Sequence, residues 1–263
     1  MGKKKNSEYH VPNLERALEI LELLASHPAG LTVAQICEML HIPRNSVFRI
    51  TSTLFNYEYL TRDEETKEFR VSYKLLTIGY SALGEEGLVE KALPIMRELR
   101  NKIGETVPLG IIHGNEGLVI VEVPGVHSFR FVLEPGRKFH LHTSAPGKAI
   151  LAFMPQAEKE NIFKNMVFTK YNEKTITNLS DYQKHLNVVK ECHYAVDDAE
   201  EVDGMHCVAA PIFNYRGFPT AAIWITGPSA RIKKEDYDKI GKEIKRHADR
   251  ISKSLGYDPS RKQ

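Results

Sequence analysis

Several things are scarce in this chain, and each scarcity excludes something. Its 263 residues hold only three cysteines, Cys37, Cys192 and Cys207. They are too few and too scattered for a disulfide framework, and no two form a CxxC pair. A reducing cytoplasm is the expected setting. No apolar run approaches the roughly 18 residues of a membrane span; the longest, 208–213 and 220–226, are strand-sized. The basic start, Gly2 to Ser7, has no apolar segment behind it and is not read as a secretory signal. No membrane partner is expected. Charge of one sign is not in excess either: 36 basic against 34 acidic residues leave a net charge of +2, which by itself points to no nucleic acid. HExxH, GxSxG and phosphate-loop patterns are missing. So are internal repeats and low-complexity tracts.

What is present is the composition of a folded protein, 42% apolar and 27% charged, enough for a substantial core. The length favours two domains. Residues 11–60 read as three short helices. The first carries the apolar stripe Leu14, Ala17, Leu18, Leu21, Leu24 and Ala25, with Asn13 as its expected N-cap after Pro12. The second opens at Thr32 with Gln35 three residues on, a capping-box pattern, and is expected to turn Ala34, Ile36, Met39 and Leu40 inward. After a tight break at His41-Ile42-Pro43 the third runs from about Arg44 to Tyr57, with Val47, Ile50 and Leu54 as its buried row. A strand, the charged turn Asp63 to Lys67 and a second strand follow. Three helices and a β-hairpin in this order are those of a winged helix-turn-helix.

Residues 73–86 read as a linker helix, with the domain boundary at Gly84-Glu85-Glu86-Gly87. An amphipathic helix over 88–103 ends at Gly104 as C-cap. Strands are expected at 106–113, 118–123, 128–133, 207–213 and 219–226. Helices are expected at 145–153, 156–164, 180–192 and 235–255. Antiparallel hairpins with helices gathered on them make an α+β domain. The expected organisation is a flexible basic arm (1–10), a DNA-binding domain (11–72), the linker (73–86), an effector-binding and oligomerisation domain (87–258) and a tail (259–263).

A helix-turn-helix reads DNA by laying its second helix in the major groove. Here Arg44, Asn45, Ser46, Arg49 and Thr53 lie opposite the buried row. Arg49 suits a guanine edge, Asn45 an adenine edge, and Arg44 and Ser46 suit phosphates. Residues 1–80 are neutral overall, yet Met39 to Tyr57 contains two arginines and no acid. In the wing Arg62, Lys67 and Arg70 are the candidates, while Asp63-Glu64-Glu65 would repel phosphates. An interaction module without DNA is the bland alternative.

Several segments together resemble the IclR family of transcriptional regulators. They are Val11 to Leu18, Ile42 to Arg49, Leu141-His142-Thr143-Ser144-Ala145-Pro146-Gly147-Lys148-Ala149, Thr175-Ile176-Thr177, Tyr194 to Asp198, Gly204 to Phe213 and Gly227-Pro228. The resemblance spans about residues 11–256. It implies a winged helix-turn-helix, a GAF/PAS-like antiparallel-sheet effector domain, and homodimers or homotetramers on palindromic double-stranded operators. It implies small-molecule effectors such as organic, sugar-derived or aromatic acids, and no cofactor. Repression is expected rather than activation.

By matched position the resemblance picks Leu141, Ala145, Pro146 and Gly147 on one side of the effector, and Asp197, Met205, Cys207, Trp224 and Thr226 on the other. A helix starting near Ser144 would offer free N–H groups to a carboxylate. Gly147 would allow close approach, and Thr226 and Asp197 would hold hydroxyls. Trp224 stands where a small residue is common, so it either fills the pocket or lines it as a flat wall. His206 replaces the usual arginine. Two alternatives stand beside this reading. One is a DNA-binding protein whose C-terminal domain only dimerises. The other is an enzyme with His140, His142 and Cys207 as a zinc site, or Cys207 as nucleophile.

Overall fold

The computed structural model describes residues 11–75, 78 and 87–259. The chain divides into two units, Met1–Glu86 and Gly87–Gln263. The expected arm (1–10), most of the linker helix and residues 260–263 lie outside the described residues.

The first unit holds α1 (Pro12–Ala25), α2 (Val33–Leu40), α3 (Arg44–Asn56) and the antiparallel pair β1 (Leu60–Arg62) and β2 (Phe69–Val71). Its core joins Ile20, Leu24, Leu31, Ile36, Ile42, Val47, Leu60 and Phe69. The cap of helix α1 lies two residues earlier than expected. Pro12 takes the first helical position, where its missing N–H costs nothing, and Val11 is the cap. Asn13 instead accepts from Arg16 Nη1 at 3.4 Å. The stripe also shifts: Ile20 is fully buried while Leu14 and Leu18 are exposed, Leu14 forming one wall of a shallow groove against α3. The Thr32/Gln35 capping box is complete, with Gln35 Oε1 accepting the Thr32 N–H at 2.8 Å. Ala34 and Met39 face outward, because Ile36, with Val33 and Cys37 beside it, forms the inner face of so short a helix. In α3, Val47 and Thr51 are the fully buried pair, with Ile50 and Leu54 half-buried. Thr51 enters the core because its hydroxyl donates to Val47 O at 2.9 Å.

The second unit is a six-stranded antiparallel sheet between two layers of helices. Its elements are α4 (Leu88–Ile103), β3 (Val107–His113), β4 (Glu116–Val123), β5 (Lys138–Phe139), α5 (Ala145–Phe153), α6 (Gln156–Asn165), α7 (Leu179–Cys192), β6 (Ala195–Asp198), β7 (Met205–Phe213), β8 (Pro219–Pro228), a short 3₁₀ turn (Lys234–Asp236) and α8 (Tyr237–Ser254). The strand order is β5-β4-β3-β8-β7-β6. Successive side chains of a strand face opposite ways. Val208, Ala210, Ile212, Ala221, Ile223 and Ile225 therefore pack with α4 and α8, and Cys207, Ala209, Ala222 and Trp224 with α5, α6 and α7. Burial on both faces is why β7 and β8 read as continuous apolar runs. Gly104 closes α4 at φ 86°, a left-handed turn that glycine adopts without strain.

Residues 128–133 are not the strand expected of them. Thr106 Oγ1 donates to Phe131 O at 2.9 Å, and the Leu133 N–H is taken by Glu122 Oε2 at 2.7 Å. Side chains satisfy this backbone, and with Phe129 and Val132 exposed there is no buried face to fix a register. The short strands β5 and β6, one at each edge of the sheet, escaped the sequence reading.

Candidate functional site

The outward face of α3 follows from its burial. With Val47 and Thr51 inward and 3.6 residues per turn, the opposite side is centred on Asn45, Arg49, Ser52 and Asn56. Asn45 and Arg49 were expected there; Ser52 and Asn56 were missed, although they recur at helical spacing. Arg44 lies on one flank beside the exposed Phe48 and Phe55. Ser46 and Thr53 lie on the other and help line the groove against α1 together with Arg49. Thr53 Oγ1 donates to Arg49 O at 2.8 Å. Among the described residues no carboxylate pairs with Arg44 or Arg49, so both charges are available to phosphates or bases.

The wing is more occupied than its sequence suggests. Lys67 Nζ sits 3.1 Å from Glu64, and Arg70 pairs with Glu68 at 3.2 Å while donating to Ala29 O. Arg62 lies over the Phe69 ring. Such exposed pairs are worth little and can be exchanged for phosphates. Asp63 is there to build the turn: its Oδ1 accepts the N–H groups of Glu65 and Thr66, both at 2.9 Å. Those backbone bonds hold its carboxyl below the usual range.

In the second unit the sheet register assembles the other site. Asp197 stands opposite Cys207 across β6 and β7, and Cys207 opposite Thr226 across β7 and β8. Ala209 faces Trp224 one step along. A cavity of about 80 Å³ opens over this row. Of the residues expected, Pro146, Asp197, Met205, Cys207, Trp224 and Thr226 line it; Leu141, Ala145 and Gly147 do not. They are packed behind it, where the Tyr182 hydroxyl donates to Leu141 O at 2.6 Å. The sequence reading missed Val119, Leu133, Arg137, Lys138, Phe139, Ser144, Glu201 and Val202. Lys138 and Phe139 form the edge strand β5, with Arg137 just before it, too short to show a periodicity. Trp224 lines the cavity and also packs edge-on against Phe139, with ring centroids 5.5 Å apart.

The expected carboxylate cradle at the start of α5 is mostly closed. Ser144 Oγ accepts the Gly147 N–H at 3.2 Å, and Pro146 has none to offer. Charge is held elsewhere. Lys148 is fully buried, donates to Val196 O at 3.2 Å and pairs with Glu200. Burial pushes Glu200 up to about 7 and Asp197 up to about 6, with Lys148 pulling both back. Burial likewise raises the Cys207 thiol, whose Sγ contacts Thr226 Oγ1 at 3.4 Å; it is no nucleophile. His140 meets Glu201 at 3.0 Å, and His142 meets Thr169 O at the same distance. His206 is buried against Ile232 O and Asp198. Among the described residues no group of three His, Cys, Asp or Glu side chains could hold a metal, so the zinc alternative lacks a donor set. Nor is any described helix long and apolar enough to cross a membrane.

A three-helix unit with a two-stranded wing and an acid-free outer helix is that of a DNA-binding protein. Comparison with known proteins narrows this. Residues 13–64 match the IclR helix-turn-helix domain, and residues 80–253 match the bacterial transcriptional regulator IclR C-terminal domain. The HTH-type transcriptional regulator BhcR of Paracoccus denitrificans is 32% identical over 219 residues, 83% of this chain and 78% of that protein. The HTH-type transcriptional repressor AllR of Klebsiella pneumoniae is 28% identical over 246 residues, 94% of this chain and 90% of that one. The crystal structure of the Thermotoga maritima IclR superposes with a TM-score of 0.78 at 30% identity, covering 94% of this chain and all of that one. The chain belongs to the IclR family of bacterial transcriptional regulators: it is a DNA-binding regulator and not an enzyme.

Proposed function

We propose that this regulator is a cytoplasmic repressor whose hold on a double-stranded operator is modulated by a small acid bound in the second unit. A homodimer, alone or paired into a homotetramer, would set two α3 helices in successive major grooves, roughly 34 Å apart. Asn45 and Arg49 would read bases, helped by Ser52. Arg44, Ser46, Thr53 and the wing's Arg62 and Lys67 would hold phosphates and fix the register. Repression is supported by the relative AllR, itself named a repressor. The observation that carries the effector is the cavity over Asp197, Cys207, Trp224 and Thr226. It is a partly open, mainly apolar space with a few polar groups converging on it, the usual make-up of a small-molecule site.

An operator is first selected from genomic fragments with the full chain. Arg49→Ala should then bind it about 5- to 150-fold more weakly, the cost of one bidentate base contact. Footprinting at undiminished affinity would place the reading face elsewhere. At least one acid from an organic, sugar-derived and aromatic panel should raise the melting temperature and change operator affinity. A ligand moves the equilibrium only by binding the two states unequally. A panel without effect would leave the second unit as an oligomerisation domain alone.

A further inference from the structure

Four side chains in the first half of α3 are exposed: Arg44, Asn45, Phe48 and Arg49. Three are polar, and Phe48 is not. We propose that Phe48 reads the C5 methyl of a thymine in the major groove and so sets part of the operator sequence. This rests on α3 being the helix that enters the groove.

Three observations support the assignment. The first is placement. Base edges are met by the N-terminal residues of a recognition helix. Phe48 stands four residues after Arg44 and three after Asn45. A long side chain on a helix leans back toward the N-terminus. The ring therefore covers the turn that carries Arg44 and Asn45, at the leading end of α3.

The second is that Phe48 has nothing else to hold. Its side chain is 59% exposed, and Val47 and Thr51 fill the inner side of the helix. Phe55, two turns on along the same flank, gives the contrast: its ring meets Phe69 of the wing edge-on, with centroids 6.5 Å apart. Among the described residues no ring packs on Phe48 in this way. A lone exposed phenylalanine is ordinary on a protein surface; this one stands among the side chains assigned to bases and phosphates.

The third is chemistry. A phenyl ring neither donates nor accepts a hydrogen bond, so it cannot read the polar pattern of a base edge. The thymine methyl is the apolar group that base pairs present in the major groove, and cytosine lacks it at the same ring position. Residues three apart on a helix are neighbours, roughly 5–6 Å between Cβ atoms. That is one or two base-pair steps of about 3.4 Å each. An adenine edge under Asn45 and a thymine methyl under Phe48 are therefore within reach of adjacent side chains.

The test uses the full chain and its selected operator, titrated by fluorescence anisotropy. Each thymine is replaced in turn by deoxyuridine, which keeps the pairing and loses only the methyl. At least one thymine should respond, with the wild type binding about fourfold more weakly for the lost methyl contact. Phe48→Ala should be indifferent to that replacement. Phe48→Leu keeps an apolar contact and should respond in part. With C·G in place of that T·A pair, 5-methylcytosine should bind the wild type about fourfold tighter than cytosine. Phe48→Ala should also lose more on the operator than on unrelated duplex, whose binding rests on phosphate contacts. No responsive thymine, a uracil profile unchanged by Phe48→Ala, or an equal loss on operator and unrelated duplex would each overturn the assignment. If Arg49→Ala still weakens operator binding in that case, α3 remains the reading helix and Phe48 alone is misassigned. If Arg49→Ala binds undiminished, the reading of α3 falls too.

Discussion

Lys148→Met is the most informative single change in the second unit. Lys148 lies fully buried in α5, its Nζ shared between Val196 O and Glu200. Glu200 Oε2 is buried without a partner, and Asp197 nearby is only 3% exposed. Methionine fills the space of the lysine stem and removes the charge that chiefly offsets two buried carboxyls. Breaking a buried pair from one side costs about 3–5 kcal/mol. At roughly 2–4 °C per kcal/mol for a domain of this size, the melting temperature should drop by about 6–20 °C. The loss should depend on pH in a definite direction. In the folded protein burial lifts Asp197 to about 6 and Glu200 to about 7, above the ordinary carboxylate values of 3.8 and 4.5. Lys148 lowers both, so without it both rise further. A carboxyl raised in the folded state contributes stability that is complete below its unfolded value and lost as pH climbs through the folded value. The variant should therefore be close to wild type at pH 4.5 and far below it at pH 8. Buried His185, depressed to about 4 by burial and, second, by Lys148, gives an opposite slope below its unfolded value, and loss of Lys148 makes that slope shallower in the variant. The single tryptophan, Trp224, lies in this unit, so its fluorescence follows the unit's unfolding in the full chain. Lys148→Met with Glu200→Leu should recover most of the loss. A deficit of equal size at both pH values, or a double variant no better than the single, would refute the charge reasoning.

Two further substitutions probe packing and capping. Gly147→Ala puts a Cβ 2.6 Å from Leu141 O and 2.7 Å from Leu141 Cα, backbone atoms with little room to give. The Trp224 transition should show about 1–3 kcal/mol of destabilisation from overpacking, where alanine in a helix normally helps by up to about 1 kcal/mol. A gain in stability would mean that the approach of these two segments is not tight. Thr32→Ala removes the capping box of α2 and should cost the first unit about 1 kcal/mol, read by amide exchange over 33–36, whereas Thr32→Ser should retain most of it. Equal exchange in Thr32→Ala and wild type would show that α2 does not depend on its cap.

Much of the fold was legible because its signals are local. The capping box at Thr32, the Gly104 cap and the 3.6-residue pattern of α4 each fix an element within a few residues. Failures came where distant partners decide. Leu14 fits the apolar stripe of α1, but its burial depends on how α3 passes it, and it ends as a groove wall. Residues 128–133 alternate like a strand, yet Thr106 and Glu122 take the backbone bonds that a neighbouring strand would have made. On α3 the outer face was recoverable from spacing, and Ser52 and Asn56 were overlooked beside more familiar DNA-binding residues. The cavity divides the same way. Asp197, Cys207 and Thr226 lie on strands whose register brings them level. Lys138 and Phe139 arrive on a two-residue edge strand, with Arg137 just before it, that leaves almost no mark in the sequence.

The alternation of β7 and β8 between two helical layers has a consequence for how such a protein diversifies. Odd positions on β7 and even ones on β8 face the cavity and its covering helices, and their immediate neighbours pack with α4 and α8. Recognition and structural support are thus written in the same two strands as interleaved texts, each readable without the other. Under the proposed effector reading, ligand preference is rewritten at Cys207, Trp224 or Thr226 while Val208, Ile223 and Ile225 keep the scaffold unchanged. A library confined to one parity would search new ligands, and one confined to the other would search stability.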